Sequence, residues 1–248
     1  MPKGLPGKFV MLDGLDGVGK GVALGALVDY EKQQGKDVYD LNDYWETHKD
    51  HPEYEQLKKH DVIVSHEHEP TYACLGLMIR NEIIAENNRQ YTARDTALAY
   101  SLDRLCLYKR LLIPCFENAK TVLQSRGVIS SLAYQQLQAK EEGSELSLED
   151  IMNFSGNKLA LEYAPDLLII PTIKNVDEVM KRLENRGKDD NAIFEKLDFQ
   201  LKLKPIYEGK ELREIFESRG SRVEYLDAGV SIEHSRNEAV RIYKDYMQ

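Results

Sequence analysis

The chain has 248 residues, with 42 acidic against 33 basic side chains and a formal net charge of −9. That balance excludes bulk electrostatic binding to DNA or RNA and leaves room only for a local basic pocket. Hydrophobic residues make up 42% and charged residues 30%, and no stretch approaches the ~20 apolar residues of a membrane span, so no nucleic acid and no membrane is expected as a partner. Cys74, Cys106 and Cys115 are odd in number and lack metal spacing; they read as buried free thiols of a cytoplasmic protein.

Apolar runs and helical periodicities alternate along the chain. A strand is predicted at 9–13, a helix at 19–34 stopped by Gly35, and a short strand at 37–41. Residues 42–60 are polar and read as a partly helical surface insertion. A buried strand follows at 61–65, a long helical region at 92–119, a strand at 121–125, helices at 130–140 and 146–163, and a strand at 166–170. Next come a helix at 176–186, a polar loop at 186–191, a long amphipathic helix at 195–218, a strand at 222–226 and a closing helix at 231–247. This alternation predicts a parallel sheet covered by helices. The expectation is one domain over 1–248, an α/β three-layer fold with a five-stranded parallel sheet and a small lid at about 182–195.

The chemistry concentrates in segment 8–21, where four apolar residues run into a glycine-rich turn that opens a helix. Gly14-x4-Gly19-Lys20 fits the phosphate-loop pattern G-x-x-x-x-G-K-[ST] except at its last position, which is Gly21. Glycines let several backbone N–H groups converge on one phosphate, where β-carbons would block the nest. The helix N-terminus adds partial positive charge, and Lys20 would reach the terminal phosphates. Gly14, Asp16, Gly17, Val18, Gly19, Lys20, Gly21 and Val22 are therefore the candidate ATP-binding residues. Gly21 lacks the hydroxyl that normally holds Mg²⁺, so the metal would be held by other groups and waters, or turnover would be lost.

Five segments in chain order resemble the thymidylate kinase family of P-loop nucleoside monophosphate kinases. They are the phosphate loop; Glu69-Pro70-Thr71 with Leu75-Gly76 and Ile79-Arg80; Leu98-Ala-Tyr100-Ser-Leu-Asp103-Arg104; Gln124-Ser125-Arg126-Gly127 with Ser130-Ser131-Leu-Ala-Tyr134-Gln135; and Pro165-Asp166 with Arg182, Arg186-Gly187-Lys188-Asp189. The likeness leaves out 42–60 and 139–160. It implies the P-loop NTPase fold, ATP and Mg²⁺ as cofactors, and γ-phosphoryl transfer to a pyrimidine nucleoside monophosphate, dTMP first. It also implies a homodimer packed through helices near 70–120.

The resemblance assigns roles residue by residue. Lys20, Arg126, Arg182 and Arg186 form the catalytic set, with Arg182, Arg186 and Lys188 closing over the donor phosphates. Asp16 faces the acceptor's sugar, Glu69 and Pro70 border it, and Arg104 and Arg126 grip its phosphate, which a planar guanidinium does well. Tyr100 stacks on the base, Ser131 and Gln135 read its edge, and Ala228 lies where relatives cradle adenine. By residue type alone, Arg104 reads as a surface arginine, Tyr100 as helix packing and Gln135 as a solvated position.

Several positions depart from the family pattern. Gly21 lacks the metal-binding hydroxyl, Ser125 replaces an aspartate, Gly127 replaces a tyrosine that crowds the sugar's 2′ position, and His68 replaces an arginine. Asp13 is the candidate metal-site residue, acting through water, with Glu67 and Glu69 on a neighbouring strand end. Two other readings follow from these departures: a kinase for another nucleoside or nucleotide, and a nucleotide-binding protein that has lost catalysis.

Overall fold

A computed structural model describes residues 4–66, 69–85, 87–176 and 197–247. Among them, six strands form one sheet: β1 (Lys8–Leu12), β2 (Val38–Asp40), β3 (Val62–Ser65), β4 (Thr121–Ser125), β5 (Leu167–Thr172) and β6 (Arg222–Asp227). All pairs are parallel, in the order β2-β3-β4-β1-β5-β6. The sequence reading predicts five strands. The sixth arises because even the three-residue β2 pairs in register with β3, Val38 against Val62 and Asp40 against Val64. The middle strands are near-continuous apolar runs because both their faces are covered; every residue of β3 and all but the first of β1 are buried.

The helices are α1 (Lys20–Gln33), α2 (Leu41–His48), α3 (Tyr54–Leu57), α4 (Cys74–Met78), α5 (Ala93–Leu107), α6 (Ile113–Glu117), α7 (Val128–Glu142), α8 (Leu148–Asn153), α9 (Ser155–Glu162), α10 (Leu197–Tyr207), α11 (Lys210–Glu217) and α12 (Ile232–Met247). π-Helical turns at Ile79–Ile83 and Tyr108–Leu112 extend α4 and α5. α1 packs with α12, while α5, α7 and α9 pack with one another. α5 opens on a capping box between Thr92 and Asp95, and α7 stops at Gly143 with φ +65°.

Three long predicted helices are broken. Residues 92–119 divide at the π turn, 146–163 divide at Phe154, whose backbone is extended, and 195–218 divide at Gly209. The 42–60 segment is more than a surface feature, because Trp45 and Leu57 are wholly buried in the main core. Of the three cysteines expected to be buried, Cys115 is, whereas Cys74 and Cys106 are exposed. β1 lies between β4 and β5, so the turn after it opens at the carboxyl edge of the sheet, where open α/β sheets hold ligands. No described helix is long and apolar enough to cross a membrane.

Candidate functional site

The loop after β1 depends on its glycines. Gly14, Gly17 and Gly19 take φ of +151°, +74° and +107°, conformations that side chains resist. A β-carbon on Gly14 would crowd the Pro171 carbonyl at 3.1 Å, whereas one on Gly19 or Gly21 would meet nothing within 4 Å. The loop is thus packed against β5 on one side and open on the other. Lys20 begins α1, is 5% exposed, and donates through Nζ to the Gly14 carbonyl at 3.0 Å and the Leu15 carbonyl at 2.7 Å. Its ammonium lies across the loop that would hold the phosphates.

Two carboxylates belong to the same strand-to-helix turn. Asp13 is wholly buried and accepts from Gly14 N (2.7 Å), Gly127 N (2.9 Å), Ser130 Oγ (2.8 and 2.9 Å) and Tyr207 OH (2.9 Å). These neutral donors fill both its oxygens. Asp16 accepts from Arg126 through Oδ1, and from Tyr134 OH (2.8 Å) and Gln200 Nε2 (3.1 Å) through Oδ2. Its own N–H donates to Gln200 Oε1 at 3.0 Å. Burial pushes both the Tyr134 and Tyr207 hydroxyls up, so they stay protonated donors. Arg126 has φ +68°, left-handed for a residue with a β-carbon, and its N–H to the Leu12 carbonyl (2.8 Å) pins that strained turn to β1.

The expected acceptor side is built on α5 and α7. Arg104 is wholly buried rather than at the surface. It forms an ion pair with Glu69 and donates to Asn157 Oδ1, to Ser131 Oγ at 3.0 Å and to the Gly127 carbonyl at 3.4 Å. Burial pushes the Glu69 carboxyl up, and the Arg104 guanidinium pulls against that. Thr71 ties the same segment to α5 through Asp103, by its N–H (2.6 Å) and its hydroxyl (2.7 Å). Arg80 donates to the Pro70 carbonyl (3.0 Å from Nε) and stacks 3.7 Å over the Tyr72 ring. Tyr100 is half-buried, beside the charges of Arg80, Glu69 and Arg104. Gln135 is 2% exposed rather than solvated, and its Oε1 is buried without a hydrogen-bond partner. Gly127 opens no pocket where a larger side chain is missing, because a β-carbon there would overlap the Met11 thioether.

At the turn expected to border the donor, the Ala228 N–H is held by the Thr172 carbonyl at 2.8 Å, and Gly229 N–H by Asp227 Oδ1 at 2.9 Å. Beside this turn lies a pocket of about 310 Å³ lined by Thr172, Lys174, Lys204, Tyr225 and Asp227, among others. Arg182, Arg186, Lys188 and the rest of 182–195 lie outside the described residues, as do Glu67 and His68. Among the described residues, no three His, Cys, Asp or Glu side chains converge as a metal cluster. Ser125 Oγ, at the end of β4, is wholly buried and without a partner.

Three contributors carry no sequence signal of their role. Gln200 and Tyr207 sit on an ordinary amphipathic helix, and they meet their carboxylates across 184 and 194 residues of chain. Asn157 belongs to the stretch that the family resemblance leaves out.

A family model described as thymidylate kinase matches residues 53–239. A probable thymidylate kinase of Pyrococcus abyssi is 28% identical over 239 residues, 96% of each chain. One from Caldivirga maquilingensis is 26% identical over 238 residues, 96% of this chain and 93% of the relative. A thymidylate kinase of an Exiguobacterium species is 24% identical over 237 residues, 95% of this chain and 93% of the relative. The solved structure of the Candida albicans thymidylate kinase shares the fold, with a TM-score of 0.63 at 16% identity over 97% of this chain and 92% of that one.

Proposed function

The chain belongs to the thymidylate kinase family of nucleoside monophosphate kinases, and from that premise we propose how its own residues phosphorylate dTMP with ATP. The observation that carries the reading is one continuous network from the phosphate loop to the acceptor side. Lys20 lies on the loop, Asp16 stands within it, and Arg126 is bonded to Asp16. A donor triphosphate cradled by the backbone of 14–21 would draw the Lys20 ammonium off the Gly14 and Leu15 carbonyls. Arg126 grips the acceptor phosphate opposite. The chemistry needs positioning and charge neutralisation, with the acceptor phosphate itself as nucleophile.

Arg104 serves the acceptor through what it orders, the Ser131 hydroxyl and the Glu69 carboxylate, with Pro70 beside them. Tyr100 flanks the base. The unpartnered Gln135 Oε1 is an acceptor for an N–H on the base edge, since a buried unpaired amide oxygen is costly. Arg182 and Arg186 close over the donor, and the turn at Ala228 borders the adenine.

A bound Mg²⁺ would be held mainly by phosphate oxygens and water, because position 21 supplies no side-chain oxygen and the neutral donors on Asp13 leave it only a contact through water. Bound Mg²⁺ would neutralise charge on the bridging phosphates. The same reading makes the protein a cytoplasmic homodimer, with Met78, Leu98 and Leu102 exposed by 48%, 42% and 51% on the helices where the family resemblance puts the interface. A binding protein without turnover is not favoured, since relatives spanning nearly the whole chain are kinases.

A coupled ADP-release assay with ATP, Mg²⁺ and a panel of dTMP, dUMP, UMP, CMP and AMP tests this. The expected result is turnover with the highest kcat/KM on dTMP. Nucleotide binding without ADP release on any acceptor overturns it.

A further inference from the structure

We propose that Gln200 is a positioning residue for the acceptor phosphate: it fixes Asp16, and Asp16 in turn aims the Arg126 guanidinium. This rests on the kinase reading above and deepens it. Gln200 is wholly buried on α10, and its side-chain amide meets residue 16 at two points. Oε1 accepts from the Asp16 N–H at 3.0 Å, and Nε2 donates to Asp16 Oδ2 at 3.1 Å. One contact fixes the loop's peptide and the other fixes the side-chain rotamer.

The division of the carboxylate follows from that grip. Oδ2 is shared by two neutral donors, Gln200 and Tyr134, so Oδ1 alone faces the Arg126 cation. Arg126 hangs on a strained turn with several rotatable bonds, and a carboxylate held in one rotamer is what sets its direction. α10 repeats the pattern two turns on. Tyr207, seven residues after Gln200 and so on the same helix face, donates to Asp13 at 2.9 Å. One helix thereby holds both carboxylates of the turn after β1. A residue that only glued α10 to the loop would lower stability without favouring one substrate over the other.

The test compares Gln200→Ala and Gln200→Glu with the parent enzyme, measuring KM for dTMP and for ATP from pH 6 to 8.5. Gln200→Ala is expected to raise KM for dTMP about tenfold, as the loss of a buried hydrogen-bonded grip does, and KM for ATP by a clearly smaller factor through the freed Asp16 peptide. In Gln200→Glu, one new oxygen faces Asp16 Oδ2 at the 3.1 Å now spanned by Nε2. Two carboxyls that close share a proton, and the raised pKa belongs to the pair. Towards pH 6 the protonated glutamic acid donates as the amide does; towards pH 8.5 it repels. KM for dTMP, divided by the parent's at each pH, is therefore expected to fall at least about fivefold on acidification. A misfolded variant cannot regain affinity this way, and Gln200→Asn, too short to span both contacts, should behave as Gln200→Ala.

Equal rises in both KM values, no rise for Gln200→Ala, or a pH-independent ratio for Gln200→Glu would each overturn the inference. A parent that turns over normally while the variants match it sinks this inference alone. A parent without turnover on any acceptor sinks the kinase reading as well.

Discussion

Lys20 has a flexible four-carbon stem and a compact charge, so moving from the Gly14 and Leu15 carbonyls to a phosphate in the same loop needs only rotamer changes. Lys20→Ala is expected to cut phosphoryl transfer by about a thousandfold, the scale seen when one preorganised charge is removed, while the thermal melt persists. Rates equal to the parent's would take Lys20 out of the mechanism. Arg126→Ala should raise KM for the acceptor more than KM for ATP; the reverse ordering would mean that Arg126 serves the donor. His51 makes a different argument. It is 2% exposed, lies edge-on to Trp45 at 5.6 Å, and neither ring nitrogen has a hydrogen-bond partner. Burial, helped by Arg110, holds its pKa down to about 4. An unfolded histidine titrates near pH 6.5, so the neutral folded ring contributes full stability above that pH. The contribution is lost as pH falls from about 6.5 to about 4, up to roughly 3 kcal/mol. Urea midpoints against pH should show His51→Leu losing that much less than the parent over this window; parallel curves would mean that His51 does not titrate there.

At the scale of elements, the strands and the phosphate loop are legible because their signals are local. Runs such as Phe9–Leu12 need no partner to be read, and a glycine spacing announces its own turn. The breaks inside long helices are not legible, because an amphipathic stripe continues across Phe154 and Gly209 while tertiary packing decides where the chain turns. The candidate site is legible where a motif names a residue and opaque where a neighbour supplies it. Asn157 is the example, since its partner Arg104 is 53 residues away. What brings it there is a glycine: a β-carbon on Gly156 would overlap the Ser101 carbonyl, and Gly156 N–H bonds Ser101 Oγ at 2.9 Å. α9 can therefore lie almost against α5. Gly156→Ala is expected to push the helices apart, costing about 1–3 kcal/mol as overpacked cores do, and to raise KM for the acceptor as Asn157 leaves Arg104. Thermal melts and dTMP kinetics check both parts. An unchanged KM in a destabilised variant would confine α9 to a packing role.

At the scale of the whole molecule, α5 has two working faces. Its inner face carries Ser101, Asp103 and Arg104, all at most 2% exposed, on the side proposed for the acceptor. Its outer face carries Leu98 and Leu102 four residues apart, with Met78 from α4 also exposed. Leaving such side chains in water forgoes roughly 1.5–3 kcal/mol each, which a second copy of the chain would recover by covering them. Opposing this is charge, since each copy carries −9 and two copies repel at long range. The two terms respond differently to salt. Screening weakens the repulsion within a Debye length of about 8 Å at physiological ionic strength and leaves apolar burial nearly untouched. Sedimentation velocity is therefore expected to show a dimer whose dissociation constant falls as NaCl rises from 50 to about 500 mM. Leu102→Glu, which replaces the most exposed of these three side chains with a further charge, should run as a monomer. If the parent sediments as a monomer at every salt concentration, or if Leu102→Glu still dimerises, this face is not the interface.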